Sequence, residues 1–211
     1  MIQPSEFVER WAAVNAQANP ATQSRLVRAR ENQFSACKLP DDGKRFLIEA
    51  GLPESCAPFL TFEEVGRGAP RLWDVYSPGQ WTPEQKTRVA SFRMIGGDGG
   101  GEAICLDESA NGTVVLVLSE TLFSKPSFWS RRSPIMVEHI NASVPQLAES
   151  LLCYALFMQK VLQLGYSAIS DILPSEPCRH LEAELRAIDE TAFAKGSFWD
   201  SEMADLKRRA K

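Results

Sequence analysis

The stretch SFRMIGGDGGGEAICLDESANGTVVLVL, residues 91–118, decides how the chain folds. Residues 92–95, 103–106 and 113–118 read as three β-strands, separated by the glycine-rich run 96–101 and by the turn 107–112. Glycine lacks a Cβ, so a cluster of it lets the backbone reverse sharply between two β-prone runs. The third strand, Val114-Val115-Leu116-Val117-Leu118, is apolar on both faces, the pattern of a central strand covered above and below. The meander therefore needs other elements packed over it.

The glycines do not make a phosphate site. Gly97 and Gly99 supply half of a dinucleotide fingerprint, but Glu102 stands where its third glycine belongs, and a strand follows where a helix N-terminus should meet the phosphate. The residues Asp107-Glu108-Ser109-Ala110-Asn111-Gly112 imitate the start of a calcium loop, yet its twelfth position is Leu118 instead of a bidentate glutamate, so a hairpin turn is expected. Asn111-Gly112-Thr113 and Asn141-Ala142-Ser143 match the glycosylation pattern in letters only.

Working outward, Ser5 is placed to cap a first helix with Phe7, Trp11 and Val14 on one face, and Asp41 or Asp42 to cap a short second one that Gly51 ends. Residues 58–62 read as an entering strand. Residues 63–85 carry so many glycines and prolines that a long irregular connection is expected, with a short strand at 72–76. Trp73 and Trp81 would pin it by burial or, alternatively, stack on a ligand. Downstream of the meander, residues 121–133 set Phe123, Phe128 and Trp129 beside Lys125, Arg131 and Arg132, as an interaction loop or an inward-packed connection would. Residues 140–146 read as a helix start, with Ser143 as N-cap and Gln146 in the capping-box position. Leu147, Leu151, Ala155, Met158 and Leu162 follow at helical spacing, making this the helix expected to cover the meander. Ser175 would cap another helix, with Glu182 and Arg186 as an i,i+4 pair, and Phe198-Trp199 opens a last one ending in a basic tail. The segmentation is an N-terminal helical piece over 1–38, a core over 39–173 and C-terminal helices over 174–211, packed as one domain.

At 211 residues, 44% of them hydrophobic, the chain can bury a core, and its net charge of -4 gives no general pull towards nucleic acid or an anionic membrane. No run spans a bilayer and the first residues do not resemble a signal peptide, so a cytoplasmic protein is expected. Five scattered cysteines without a C-x-x-C pair fit buried small hydrophobes, and no cofactor or metal is called for. With His139 and His180 as its histidines, the chain has few candidates for general-base chemistry; a hydrolase assembled around either is the catalytic alternative. Between Arg93 and Lys125 the charged side chains are Asp98, Glu102, Asp107, Glu108 and Glu120, all acidic. Lying at turns, they are expected along one edge of the sheet, where Asp98, Glu102, Asp107 and Glu108 could steer a basic protein partner into contact.

Three blocks in order, Gly51-Leu52-Pro53 with Phe59-Leu60, then Ile95-Gly96 through Asp98-Gly99 and Gly101 to Ile104-Cys105-Leu106-Asp107 and Gly112-Thr113-Val114, then Asn141-Ala142-Ser143, resemble the SUKH superfamily of bacterial immunity proteins, relatives of fungal cell-wall synthesis regulators. The glycine run is longer than that pattern and residues 63–85 match no part of it. The resemblance implies an α+β fold, with a curved mixed or largely antiparallel sheet flanked by helices. It also implies a non-catalytic inhibitor that occludes the active or substrate-binding surface of a cognate toxin, often a basic nuclease or nucleic-acid deaminase. A regulatory scaffold of the fungal kind is the other role it allows. It supplies no universal binding residues.

Overall fold

In the computed structural model, which describes residues 1–18, 23–34, 37–123, 135–166 and 172–210, the chain opens with helix α1 (Pro4–Gln17), whose Phe7, Trp11 and Val14 are buried. Gln3 is its N-cap and Pro4 lies in the first turn, so the helix starts before the expected cap Ser5; a proline has no amide to leave unpaired there. Strand β1 (Leu26–Val27) pairs antiparallel with β2 (Leu52–Pro53) across helix α2 (Asp41–Glu49). Pro40 takes the N-cap position of α2, which leaves Asp41 and Asp42 in its first turn, facing the positive end of the dipole. Gly51 follows the helix at φ +75°, where an added Cβ would lie 2.1 Å from the Val27 carbonyl oxygen.

The expected strand at 58–62 is instead half of a small hairpin. Strands β3 (Ser55–Cys56) and β4 (Leu60–Thr61) pair through Ser55 with Thr61 and Cys56 with Leu60, and Phe59 turns the chain between them at φ +69°. The segment after it is more helical than its breakers indicated. It forms a 3-10 turn over Glu63–Arg67, helix α3 (Leu72–Val75) where a strand was expected, and helix α4 (Pro83–Arg88). Thr82 and Gln85 form a capping box on α4, with side chain and amide exchanged at 3.2 and 2.8 Å.

The meander forms as read: β5 (Phe92–Gly97), β6 (Ala103–Asp107) and β7 (Thr113–Val117). Helix α5 (Ser119–Phe123) and strand β8 (Val137–Asn141) follow. The described strands give a six-stranded sheet in the order β3-β4-β5-β6-β7-β8, every neighbour antiparallel, beside the two-stranded pair. Strand β8 absorbs Ile140 and Asn141, which had been read as part of a helix start. Ser143 then caps α6 (Val144–Gln163), accepting from the Gln146 amide at 3.4 Å. In place of the reciprocal capping-box bond to the Ser143 amide, the Gln146 side-chain oxygen accepts from the Ser143 hydroxyl at 2.8 Å, and its NH2 group donates to the Ile188 carbonyl at 3.0 Å. Helices α7 (Ser175–Ile188) and α8 (Phe198–Arg209) complete the fold, and Arg186 pairs with Glu182 at 3.1 Å.

Alternation along β6 and β7 divides the core. Ile104, Leu106, Val114 and Leu116 face one way and pack with Leu147 and Leu151 of α6 and with side chains of α1, α2, α7 and α8. Ala103, Cys105, Val115 and Val117 face the other way, under Leu72, Trp81, Val89 and Leu122. The doubly apolar strand is thus covered on both faces, once by helices and once by the segment 72–89 with α5. Trp81 is buried there and donates its indole N–H to the Tyr76 carbonyl at 2.7 Å, while Trp73 packs at the edge beneath Arg71. The aromatic and basic residues between 124 and 134 lie outside the described residues; Phe123 packs against Trp81 at 5.0 Å. The architecture is α+β.

Candidate interaction surface

An antiparallel meander places successive turns at opposite ends of the sheet, so the acidic residues do not share one edge. Asp98 and Glu102 belong to the β5–β6 end and Asp107 and Glu108 to the β6–β7 end, with Glu102 and Asp107 roughly 17 Å apart along the strand at 3.4 Å per residue. The two pairs have to be judged separately.

At the β6–β7 end both carboxylates are spent on structure. Asp107 caps the turn, accepting from the Ser109 amide at 2.9 Å and its hydroxyl at 2.7 Å. Glu108 is bound by Arg71 at 2.8 Å, Arg93 at 3.0 Å and the Lys38 amide at 2.8 Å, and its side chain is only 6% exposed. Burial alone would raise this carboxyl, but the Lys38 amide and the two guanidinium groups outweigh it and hold it below the ordinary carboxylate range.

The β5–β6 end is different. Asp98 shapes the glycine turn, its Oδ1 accepting from the Gly100 amide at 2.9 Å and the Glu102 amide at 2.8 Å. Glu102 reaches the start of α5, accepting from the Ser119 hydroxyl at 3.1 Å and from the Ser119 amide. Glu138 joins them from β8, two strands away. Burial pushes its carboxyl up, and the negative charges of Asp98 and Glu102 push it further. Among the described residues these three form no ion pair. Tyr76 donates to the Gly101 carbonyl at 2.8 Å, and Phe59, 78% exposed, lies against Gly99, where an added Cβ would come within 3.2 Å of the Phe59 Cβ. Gly96 serves this end too: a Cβ on it would sit 1.8 Å from the Thr61 carbonyl oxygen, so only glycine lets β4 approach β5 here. The sequence reading placed Phe59 and Tyr76 in strands and gave neither them nor Glu138 a part in the contact surface. The alternation Val137-Glu138-His139-Ile140 was the available signal for a strand carrying Glu138.

Among the described residues the histidines do not activate a nucleophile. The His139 Nε2 lies 3.1 Å from the Thr191 hydroxyl, but that hydroxyl gives its one proton to Asp189 at 2.6 Å. The imidazole must then donate to Thr191, the reverse of a general base, and burial lowers its affinity for a second proton. His180 is largely exposed on α7 beside Glu184 at 3.3 Å. Among the described residues no group of three or more His, Cys, Asp or Glu side chains could hold a metal ion, and no helix is long and apolar enough to cross a membrane.

The sequence model of the SUKH-4 immunity proteins matches residues 5–205 of the chain. The chain belongs to the SUKH-4 family. No curated protein and no solved structure matches it. Membership gives the residues that carried the resemblance a physical place. In this SUKH-4 protein Asn141 is fully buried and ties three elements together: its amide donates to Ser150 of α6 at 3.3 Å and to Asp189 at 3.2 Å, and its carbonyl accepts the Trp199 indole N–H of α8 at 3.0 Å. Asp189 also takes the Ala142 amide at 2.7 Å. Its burial is outweighed by Thr191, the Ala142 amide and Asn141, which keep it ionised below the usual range. Gly51, Gly96 and Asn141 are thus framework residues of this chain, while the β5–β6 end carries the exposed Phe59 beside half-buried Asp98, Glu102 and Glu138.

Proposed function

We propose that this SUKH-4 protein acts in the cytoplasm as a non-catalytic inhibitor, binding a basic cognate toxin of the nuclease or nucleic-acid deaminase type and covering its active or substrate-binding surface. The family match over residues 5–205 carries this reading, since immunity implies a toxin partner. The β5–β6 end of the sheet is the contact surface, with Asp98, Glu102 and Glu138 as its steering charges. Glu138, whose charge is opposed by burial and by Asp98 and Glu102 in the free protein, gains when a cation from the partner arrives, which favours a basic partner and speeds its approach. Asp107 lies at the far end, and the charge of Glu108 is already balanced by Arg71 and Arg93, so neither is assigned to the contact.

The test is co-expression with a candidate toxin domain from a neighbouring gene, followed by association kinetics with the purified pair. The triple variant D98N/E102Q/E138Q removes the charge and leaves one acceptor oxygen at each position, enough for the two amides on Asp98 Oδ1 and for the Ser119 amide, while the new amide group of residue 102 can donate to the Ser119 hydroxyl. It should slow association on the order of tenfold at low salt and flatten its salt dependence. Unchanged rates and salt slope would remove these residues from the interface; failure of the wild type to protect cells would remove the inhibitor reading itself.

A further inference from the structure

Phe59 sits where the fold has no use for it. It is the last residue of a three-residue reversal between β3 and β4, at φ +69°, a conformation that glycine adopts freely and a side chain with a Cβ resists. The ring is also 78% exposed, so it returns no burial in compensation. A glycine at this position would relieve the backbone and remove exposed apolar surface together. An aromatic kept against both effects marks a site whose use lies outside folding.

The surroundings fix the backbone that carries the ring. Cys56 pairs with Leu60 and Ser55 with Thr61 on either side of the reversal, Leu60 is buried beneath it, and Thr61 pairs in turn with Gly97 of β5. Gly99 offers no Cβ, so the glycine turn comes up against the Phe59 Cβ. Asp98 adjoins that glycine, and Glu102 and Glu138 lie at the same end of the sheet. The result is an apolar knob with an acidic border, held by paired strands, so little freedom is lost on docking.

Resting on the inhibitor reading above, we infer that Phe59 is the anchor of the toxin interface, a preformed knob that enters an apolar pocket bordered by Lys or Arg side chains on the toxin. The ring supplies desolvated contact area and the carboxylates fix the orientation and the kind of rim it can face.

The experiment titrates the protein, as the 211-residue chain, against the inactivated candidate toxin domain of a neighbouring gene, by calorimetry, and records thermal unfolding of each variant. Phe59→Gly should weaken binding by about 30-fold or more while the melting temperature stays level or rises, because the left-handed backbone is relieved. Phe59→Asn, which also tolerates that backbone, should weaken binding similarly, and Phe59→Leu should retain most of it. Phe59→Gly or Phe59→Asn binding within about threefold of wild type, well short of a hot-spot loss, would overturn the anchor and leave the inhibitor reading standing. Wild type that neither binds nor neutralises the toxin would overturn both.

Discussion

Replacing Glu108 by glutamine preserves the shape of the side chain and removes the charge that two arginines share. In the wild type the carboxylate accepts from Arg71, Arg93 and the Lys38 amide, with side-chain exposures of 6% for Glu108, 10% for Arg93 and 30% for Arg71. Glutamine offers one acceptor oxygen and turns an NH2 donor towards a guanidinium that can only donate. Removing one partner of a fully buried pair costs about 3–5 kcal/mol. Arg71 can recover water, and Arg93 has a further interaction, so about 2–3 kcal/mol is expected here. With a urea slope of about 2–3 kcal/mol per molar, the unfolding midpoint at pH 7 should fall by about 1 M. The pH dependence has a definite sign. The folded carboxyl titrates below its unfolded value of about 4.3, so its stabilisation is complete above that pH and is lost as the pH falls through the folded value. The gap between wild type and E108Q should therefore close in acid. A midpoint within about 0.2 M of wild type at pH 7, well inside the shift expected from the slope, would refute the structural role. A loss of toxin affinity without loss of stability would return Glu108 to the interface.

Asn141→Ala leaves the Trp199 indole N–H and part of the Asp189 carboxylate unsatisfied in the core, and should cost about 2–4 kcal/mol in chemical denaturation without altering toxin affinity of the folded fraction. An effect below about 1 kcal/mol would mean that the network is dispensable. Glu138→Gln should act in the opposite direction. The folded carboxyl titrates above its unfolded value, so ionised Glu138 opposes folding at neutral pH and the glutamine variant should melt at the same or a higher temperature at pH 7. That advantage should fade as acid neutralises the wild-type group through its raised folded value and then its unfolded one, while association with the toxin slows. A lower melting temperature at pH 7 would contradict the repulsion.

What the sequence made legible follows from how local its physics is. The meander could be read because glycines at 96–101 and a doubly apolar run at 113–118 specify strands and reversals over a few residues. The cover on its second face could not, because 63–90 is held by Trp81, Leu72 and Val89 reaching across the sheet, a long-range effect that its prolines and glycines obscure. Strand β8 was missed since its last two residues run directly into the Ser143 cap, and a helix signal swallowed them. Phe59 was read into a strand because Phe-Leu-Thr-Phe has β character, and nothing local predicts a phenylalanine at positive φ. The misplaced acidic stripe has another origin. Once three strands are read as a meander, its two turns must lie at opposite ends, so the separation of Asp98 from Glu108 was already contained in the topology.

That separation also bears on how such a protein can change partners. The residues that hold the framework act through the core or through backbone contact: Gly51 against Val27, Gly96 against Thr61, Asn141 against Trp199 and Asp189. Substituting any of them strains or unsatisfies the fold. Phe59 is exposed and strained, and Glu138 is held among like charges, so their replacement releases local free energy instead of consuming it. On the proposed interface, stability and recognition lie on different residues, and where they meet they pull in opposite directions. A fold built this way can exchange the side chains at the β5–β6 end for those another toxin requires without first acquiring stabilising changes elsewhere. Its partner specificity is then limited by complementarity at that end of the sheet and not by what the core can tolerate.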